Sequence, residues 1–216
     1  PKNYFDYYID IGTRGVVHPW HINHMAANNP DTMCYGYEPD IPYYNELVEV
    51  VEKSGLKNVT MNDKGFGTGD KIKIPFSKRE DLFAQAWSLA DTVTLSDIFE
   101  EHSLDSDKRW AFKIDCEGGE YALLKKECKS SVELLKKASH IAMELHSLPS
   151  RKRNNFFSLH NNLPEDFSTV ETWIEDNFSD THTLFLTSKE PGLRTYIFLS
   201  KEITNNKESL FWDSLL

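Results

Sequence analysis

Residues 110–121, WAFKIDCEGGEY, are the stretch whose reading decides the fold. Trp110–Ile114 is short and apolar, and it runs straight into a turn carrying Asp115, Glu117 and Glu120, with Gly118 and Gly119 between the last two. A strand that delivers a carboxylate at its C-terminal end and opens into a helix is the arrangement open α/β sheets use. Their ligands sit in the crevice outside the carboxyl ends of parallel strands. Acids crowded into so short a turn repel one another, so their grouping points to a purpose. Glu117 and Glu120 have a simpler explanation, as acids favoured near a helix N-terminus. For Asp115 the functional reading is the stronger.

Outward from this turn, apolar runs alternate with helical patterns. Tyr7–Ile11 and Met33–Tyr37 read as buried strands, and Asn58–Met61 as a third, shorter one. A helix is predicted over Trp20–Asn28, stopped by Asn29-Pro30, and an amphipathic one over Tyr43–Ser54, with Pro42 near its start and Gly55 closing it. The polar, glycine-rich Asp63–Asp70 leads to Lys71–Phe76, which alternates like an edge strand; Pro75 argues against a central position. Asp81–Leu89 is ambiguous. Ser96 reads as the N-cap of a helix reaching about His102. The helix after the acidic turn is expected from Glu120 to about Lys126, with a second piece at Val132–Lys137. Then follow a strand at His140–Leu145, a polar loop at Ser147–Asn155, and a helix at Thr169–Phe178. Two closing strands, Thr183–Thr187 and Thr195–Leu199, are joined by the turn Lys189–Gly192. This order predicts an α/β fold: a mostly parallel sheet, helices on both faces and an antiparallel edge.

The 216 residues suffice for one sizeable α/β domain spanning 1–216, and 39% hydrophobic with 12% aromatic residues suffice for its core. The net charge of −10 argues against nucleic acid or an anionic membrane as partner, since both call for a basic face. Arg151-Lys152-Arg153 reads as a solvated loop. Cys34, Cys116 and Cys128 form no C-x-x-C pair, so free thiols, no zinc and a reducing compartment are expected. PKNYFDYYID lacks a basic-then-apolar leader, and no run approaches the roughly 20 apolar residues of a membrane span. The expectation is a soluble, cytoplasmic protein.

Several residues stand where strands end. Asp10-Ile-Gly12-Thr13-Arg14-Gly15 follows the first strand but is not the dinucleotide pattern G-x-G-x-x-G, so a tight turn and a binding loop are equally open. Glu38, closing the second strand, is well placed to accept both hydroxyls of a ribose. Asn62 or Asp63, closing the third, suits an adenine amino group, and a turn-forming role accounts for either as well. Glu144 and His146 lie two apart at the end of the strand after the acidic turn, hence on one side of it. With Asp115 they make a carboxylate-and-imidazole set suited to magnesium or manganese. Lys113 stands beside that set. His18, His21 and His24 share a helical face by spacing, but surface or core histidines are the commoner outcome, and no metal is assigned there.

Asp10-x-Gly12, Tyr37-Glu38-Pro39, Val93-Thr94-Leu95-Ser96-Asp97, Lys113-Ile114-Asp115-Cys116-Glu117-Gly118-Gly119-Glu120 and Glu144-Leu145-His146 occur in a telling order and spacing. Over about residues 7–147 the chain resembles the FkbM family, S-adenosylmethionine-dependent methyltransferases that mostly act on hydroxyl groups. The resemblance implies a Rossmann-like class I methyltransferase with a seven-stranded sheet and S-adenosylmethionine as cofactor. It implies that Asp10 and Gly12 border the methionine part and that Glu38 binds the ribose; Thr13 and Gly15 of the same loop are further cofactor-binding candidates. Arg14, Val16, His18, Pro19 and Trp20 depart from the small residues usual in this loop, which makes Arg14 or His18 candidates to face substrate. Residues 148–216 lie outside the resemblance and are expected to shape substrate choice.

Methylating an oxygen is an in-line displacement in which the acceptor must be aligned and its proton removed. Asp115 is the candidate to do this, as a base or by holding Mg2+ or Mn2+, with Lys113, Glu144 and His146 as partners. The expected acceptor is a small polar hydroxyl compound, a sugar being favoured. A ribose hydroxyl of a nucleic acid is a rival that the charge opposes. A non-catalytic binding module that keeps the fold is another.

Overall fold

Tyr7–Ile11 is the strand around which the sheet is laid out; the computed structural model describes it within residues 4–13, 21–75, 87–116, 118–147, 167–190 and 192–205. In chain order the strands are β1 (Tyr7–Ile11), β2 (Met33–Tyr37), β3 (Val59–Asn62), β4 (Gly65–Phe66), β5 (Lys71–Pro75), β6 (Trp87–Val93), β7 (Trp110–Ile114), β8 (His140–His146), β9 (His182–Glu190) and β10 (Leu193–Ser200). The helices are α1 (Ile22–Asn28), α2 (Ile41–Ser54), α3 (Leu95–Glu101), α4 (Lys129–Leu135), α5 (Ser168–Phe178) and α6 (Lys201–Asn205).

A seven-stranded sheet runs in the order β3-β2-β1-β7-β8-β10-β9. From β3 to β8 neighbouring strands are parallel, and β10 lies antiparallel between β8 and β9. Chain order reverses between β1 and β7, so the carboxyl ends of these two strands flank the switch-point crevice. The expected mostly parallel sheet with an antiparallel edge is what forms. Helices cover both faces. Ile98 of α3, Leu135 of α4 and Ile174 of α5 join Ile9, Phe112 and Met143 in one core. Ile22 and Ala26 of α1 and Ile203 of α6 join Tyr8, Ala111 and Ile197 in the other. Near-continuous apolar character along β1 and β7 follows from burial on both faces.

The sequence did not disclose the small sheet β4-β6-β5, in which β5 takes an outer position, as Pro75 requires. Other boundaries shift for local reasons. α3 is capped by Thr94, not Ser96: the Thr94 hydroxyl accepts from the Asp97 N–H at 3.1 Å, and the Asp97 carboxylate accepts the Thr94 N–H at 2.8 Å. That reciprocal pair is a capping box. Ser96 instead bonds Ser130, Oγ to Oγ at 2.8 Å. The helix expected over Glu120–Lys126 is a 3-10 turn, Gly119–Leu124, followed by another at Lys126–Cys128, and the α-helix begins at Lys129 rather than Val132. Trp20, Phe76, 81–86 and the Arg151–Arg153 cluster lie outside the described residues. Among those described, no helix is long and apolar enough to cross a membrane.

One buried group makes stability depend on pH. His140, opening β8, is 1% exposed and packs edge-on against Tyr4 and Phe5, at ring-centroid distances of 5.5 and 5.0 Å. Burial above all, then Arg109 and His182, lowers its pKa from 6.5 to about 3. Between those values the unfolded chain binds a proton that the folded chain refuses, so stability is complete above pH 6.5 and falls as pH drops toward 3. Comparing urea unfolding at pH 7 and pH 5, His140→Phe is expected to lose roughly 2 kcal/mol less than the wild type.

Candidate active site

Alternation along β1, β7 and β8 determines which side chains meet. Tyr8 and Ala111 belong to the α1-side core, so Asp10 and Lys113, two residues on, lie on that same face, and the register sets them side by side. Lys113 Nζ lies 3.1 Å from Asp10 Oδ1, donates to the Gly12 carbonyl at 3.4 Å, and is 3.8 Å from Asp115 Oδ2. Ala142 of β8 is opposite Lys113, which carries Glu144 and His146 toward the carboxyl edge on the same face. His146 Nε2 is 3.5 Å from Glu144 Oε1 and 3.9 Å from Asp115 Oδ1. One ligand atom from each of Asp115, Glu144 and His146 fits within 4.8 Å of the others.

Charge follows geometry. Burial by itself would lower the Lys113 pKa, but Asp10, Asp115 and Glu144 outweigh it and raise the value, so the side chain stays an ammonium. Asp10 is wholly buried, and among the described residues its Oδ2 has no hydrogen-bond partner. Burial, then Glu120 and Asp115, pushes the Cys116 pKa far up, so this residue is a thiol rather than a thiolate.

Gly12 locks the two crevice loops together. Its φ is +74°, and a Cβ built there would lie 1.8 Å from the Asp115 carbonyl oxygen. The Gly12 N–H donates to the Tyr37 carbonyl at 2.9 Å, and the Asp115 N–H donates to the Ile11 carbonyl at 3.0 Å. Thus the ends of β1, β2 and β7 are stitched to one another. Thr13 is buried, and its hydroxyl donates to the Asp10 carbonyl at 2.9 Å, which closes the turn. Glu38 is buried at the end of β2, where its Oε1 accepts the Asp40 N–H at 2.9 Å. Asn62 is half-buried beside it, its carbonyl accepting the Glu38 N–H at 3.0 Å, while Asp63 is exposed. Gly15, Arg14, His18 and Glu117 lie outside the described residues. His21 caps α1, its Nδ1 accepting from the Asn23 N–H at 3.4 Å, and His24 is exposed.

Glu120 is the residue that sequence reasoning assigned to a helix end. Its side chain is fully buried and turned inward. Its Oε2 accepts the Gly118 N–H at 2.7 Å, and its Oε1 accepts the His146 N–H at 2.9 Å and lies 3.1 Å from His146 Nδ1. Burial would raise its pKa, yet the hydrogen bond from His146 and those from backbone N–H groups bring it below the ordinary value. Tyr121 completes the contact by donating its hydroxyl to the His146 carbonyl. Gly118, at φ +108°, lets the chain turn back at this point, but no local signal marks Glu120 as turned inward.

Sheet order, switch point and helices on both faces define a Rossmann-like fold of the class I methyltransferase type. No family model matches the chain, and no curated protein matches it by sequence. Solved structures match it in shape. The methyltransferase FkbM from Methylobacillus flagellatus KT aligns with a TM-score of 0.55 and 17% identity, over 90% of this chain and 43% of that one. The MTase domain of METTL16 aligns with a TM-score of 0.50 and 14% identity, over 92% of this chain and 61% of that one. The likeness is one of fold, and that fold is FkbM-like. The chain spans less than two thirds of the length of either structure.

Proposed function

We propose that the chain is an S-adenosylmethionine-dependent methyltransferase that methylates a hydroxyl group of a small polar acceptor, a sugar being favoured. The observation that carries this is the meeting of Asp115, Glu144 and His146 at the carboxyl ends of β7 and β8, beside the Lys113–Asp10 pair in the switch-point crevice. The residues present suit the cofactor. Buried carboxylates at the ends of β1 and β2, Asp10 with an unpartnered Oδ2 and Glu38, match a ligand carrying an ammonium, a sulfonium and a ribose diol. Gly12 and Thr13 would border its amino-acid part and Glu38 its ribose, with Asn62 next to the base. When bound, S-adenosylmethionine supplies an electrophilic methyl group.

The chain supplies the rest. Asp115 is half-exposed in the crevice, and its carboxylate takes the acceptor's proton. Lys113, an ammonium 3.8 Å away, helps to aim that carboxylate. Asp115, Glu144 and His146 would also hold a divalent cation, Mg2+ or Mn2+, which makes a bound hydroxyl more acidic. Pairing of β10 along β8 supports 1–216 acting as one unit, with about 7–147 as its cofactor-binding and catalytic part and 148–216 shaping acceptor choice.

Incubation with S-adenosylmethionine and a panel of sugars, polyols and oligoribonucleotides, read by mass spectrometry, tests this. The expected product is a methyl ether of a sugar or polyol. Methylation confined to oligoribonucleotides would instead favour the ribose-hydroxyl reading.

A further inference from the structure

We propose that Glu120 is a positioning residue for His146: it holds the ring as the Nδ1–H form and turns Nε2 toward Asp115 and Glu144, building a cation site of Mn2+ preference. The inference rests on the methyltransferase reading only for the use made of the cation.

A carboxylate buried without exposure is costly unless its lone pairs are met. Glu120 meets them with two backbone N–H groups, one on each oxygen, from Gly118 and His146. Such an arrangement favours the ionised, accepting form. The Cys116 thiol adds a weak contact to Oε2 at 3.6 Å, and His146 Nδ1, 3.1 Å from Oε1, must therefore donate as well. Three bonds then fix the histidine from behind: its backbone N–H and its Nδ1 on Glu120, and its carbonyl on the Tyr121 hydroxyl. With Nδ1 committed, Nε2 is the ring atom left to address the crevice, and it lies between Glu144 Oε1 and Asp115 Oδ1. A carboxylate behind a ligating histidine sets its orientation and raises its basicity, and loss of such a support costs metal affinity. Two oxygens and one imidazole nitrogen suit Mn2+ better than Mg2+, which takes oxygen ligands. Glu120 touches neither acceptor nor cofactor; it acts through His146.

The test uses the whole chain without cofactor or acceptor. Mn2+ binding is followed by electron paramagnetic resonance, with Mg2+ competition, in wild type, Glu120→Gln and His146→Gln. S-adenosylhomocysteine binding serves as the control for folding and for the methyltransferase reading. The expected result is Mn2+ binding that outcompetes Mg2+, with spin-echo modulation from one directly bound nitrogen that disappears in His146→Gln. Glu120→Gln is expected to weaken Mn2+ roughly 10- to 100-fold while S-adenosylhomocysteine binding is kept. Unchanged Mn2+ affinity in Glu120→Gln, absence of the nitrogen signal in wild type, or no Mn2+ binding at all would overturn the proposal. None of these would touch the cofactor assignment, which the control reads separately.

Discussion

Gly12→Ala is expected to destabilise the fold by on the order of 3–5 kcal/mol. Two costs add. At φ +74° an L-residue carries roughly 1–2 kcal/mol of left-handed strain. The larger cost is contact: the new Cβ would lie 1.8 Å from the Asp115 carbonyl oxygen, which is backbone and cannot rotate away. Separating the loops strains the Gly12 N–H bond to Tyr37 and the Asp115 N–H bond to Ile11, each worth about 1 kcal/mol. Gly69→Ala is the control. Gly69 has φ +87° but nothing within 4 Å of its Cβ position, so the roughly 1–2 kcal/mol of strain is all it should lose. Urea unfolding of both variants reads the difference. Equal losses would mean that the loops at β1 and β7 are not locked as described.

Asp115→Asn should do the opposite, sparing the fold and removing the chemistry. The side chain is 34% exposed and the substitution is isosteric, so the melting temperature should move little. An amide cannot accept the acceptor's proton, and loss of a positioned base typically costs about 10²- to 10⁴-fold. The fall should appear in kcat more than in KM, because proton removal belongs to the transition state. Full turnover in Asp115→Asn would exclude the carboxylate as base. Asp10 then becomes the residue to examine, although its commitment to Lys113 at 3.1 Å makes it a poor base.

How much of this was legible in the sequence depends on the range of the interaction. β1, β2 and β7 matched their expected limits because each is a short apolar run ended by a polar or glycine turn, a purely local signal. The Asp115–Glu144–His146 grouping was also legible, since alternation along one strand sets Glu144 and His146 on one face. The role of Glu120 was not. It depends on a 3-10 turn carrying the side chain beneath a residue 26 positions away, and nothing local marks an inward-turned acid. Thr94-x-x-Asp97 carries the capping-box signature in the sequence itself, and it prevails over Ser96, which falls inside the first turn. The small sheet was missed because β4 is only two residues long and exists through its pairing with β6.

On the proposed function, the carboxyl ends of β1 and β2 hold S-adenosylmethionine beside Asp115. Calorimetric titration of S-adenosylhomocysteine into wild type and Glu38→Ala tests it most directly. Micromolar binding to the wild type is expected, weakened roughly tenfold or more in Glu38→Ala, whose melting temperature should show that it remains folded. No heat of binding to the well-folded wild type would mean that this fold has kept the methyltransferase sheet without its cofactor.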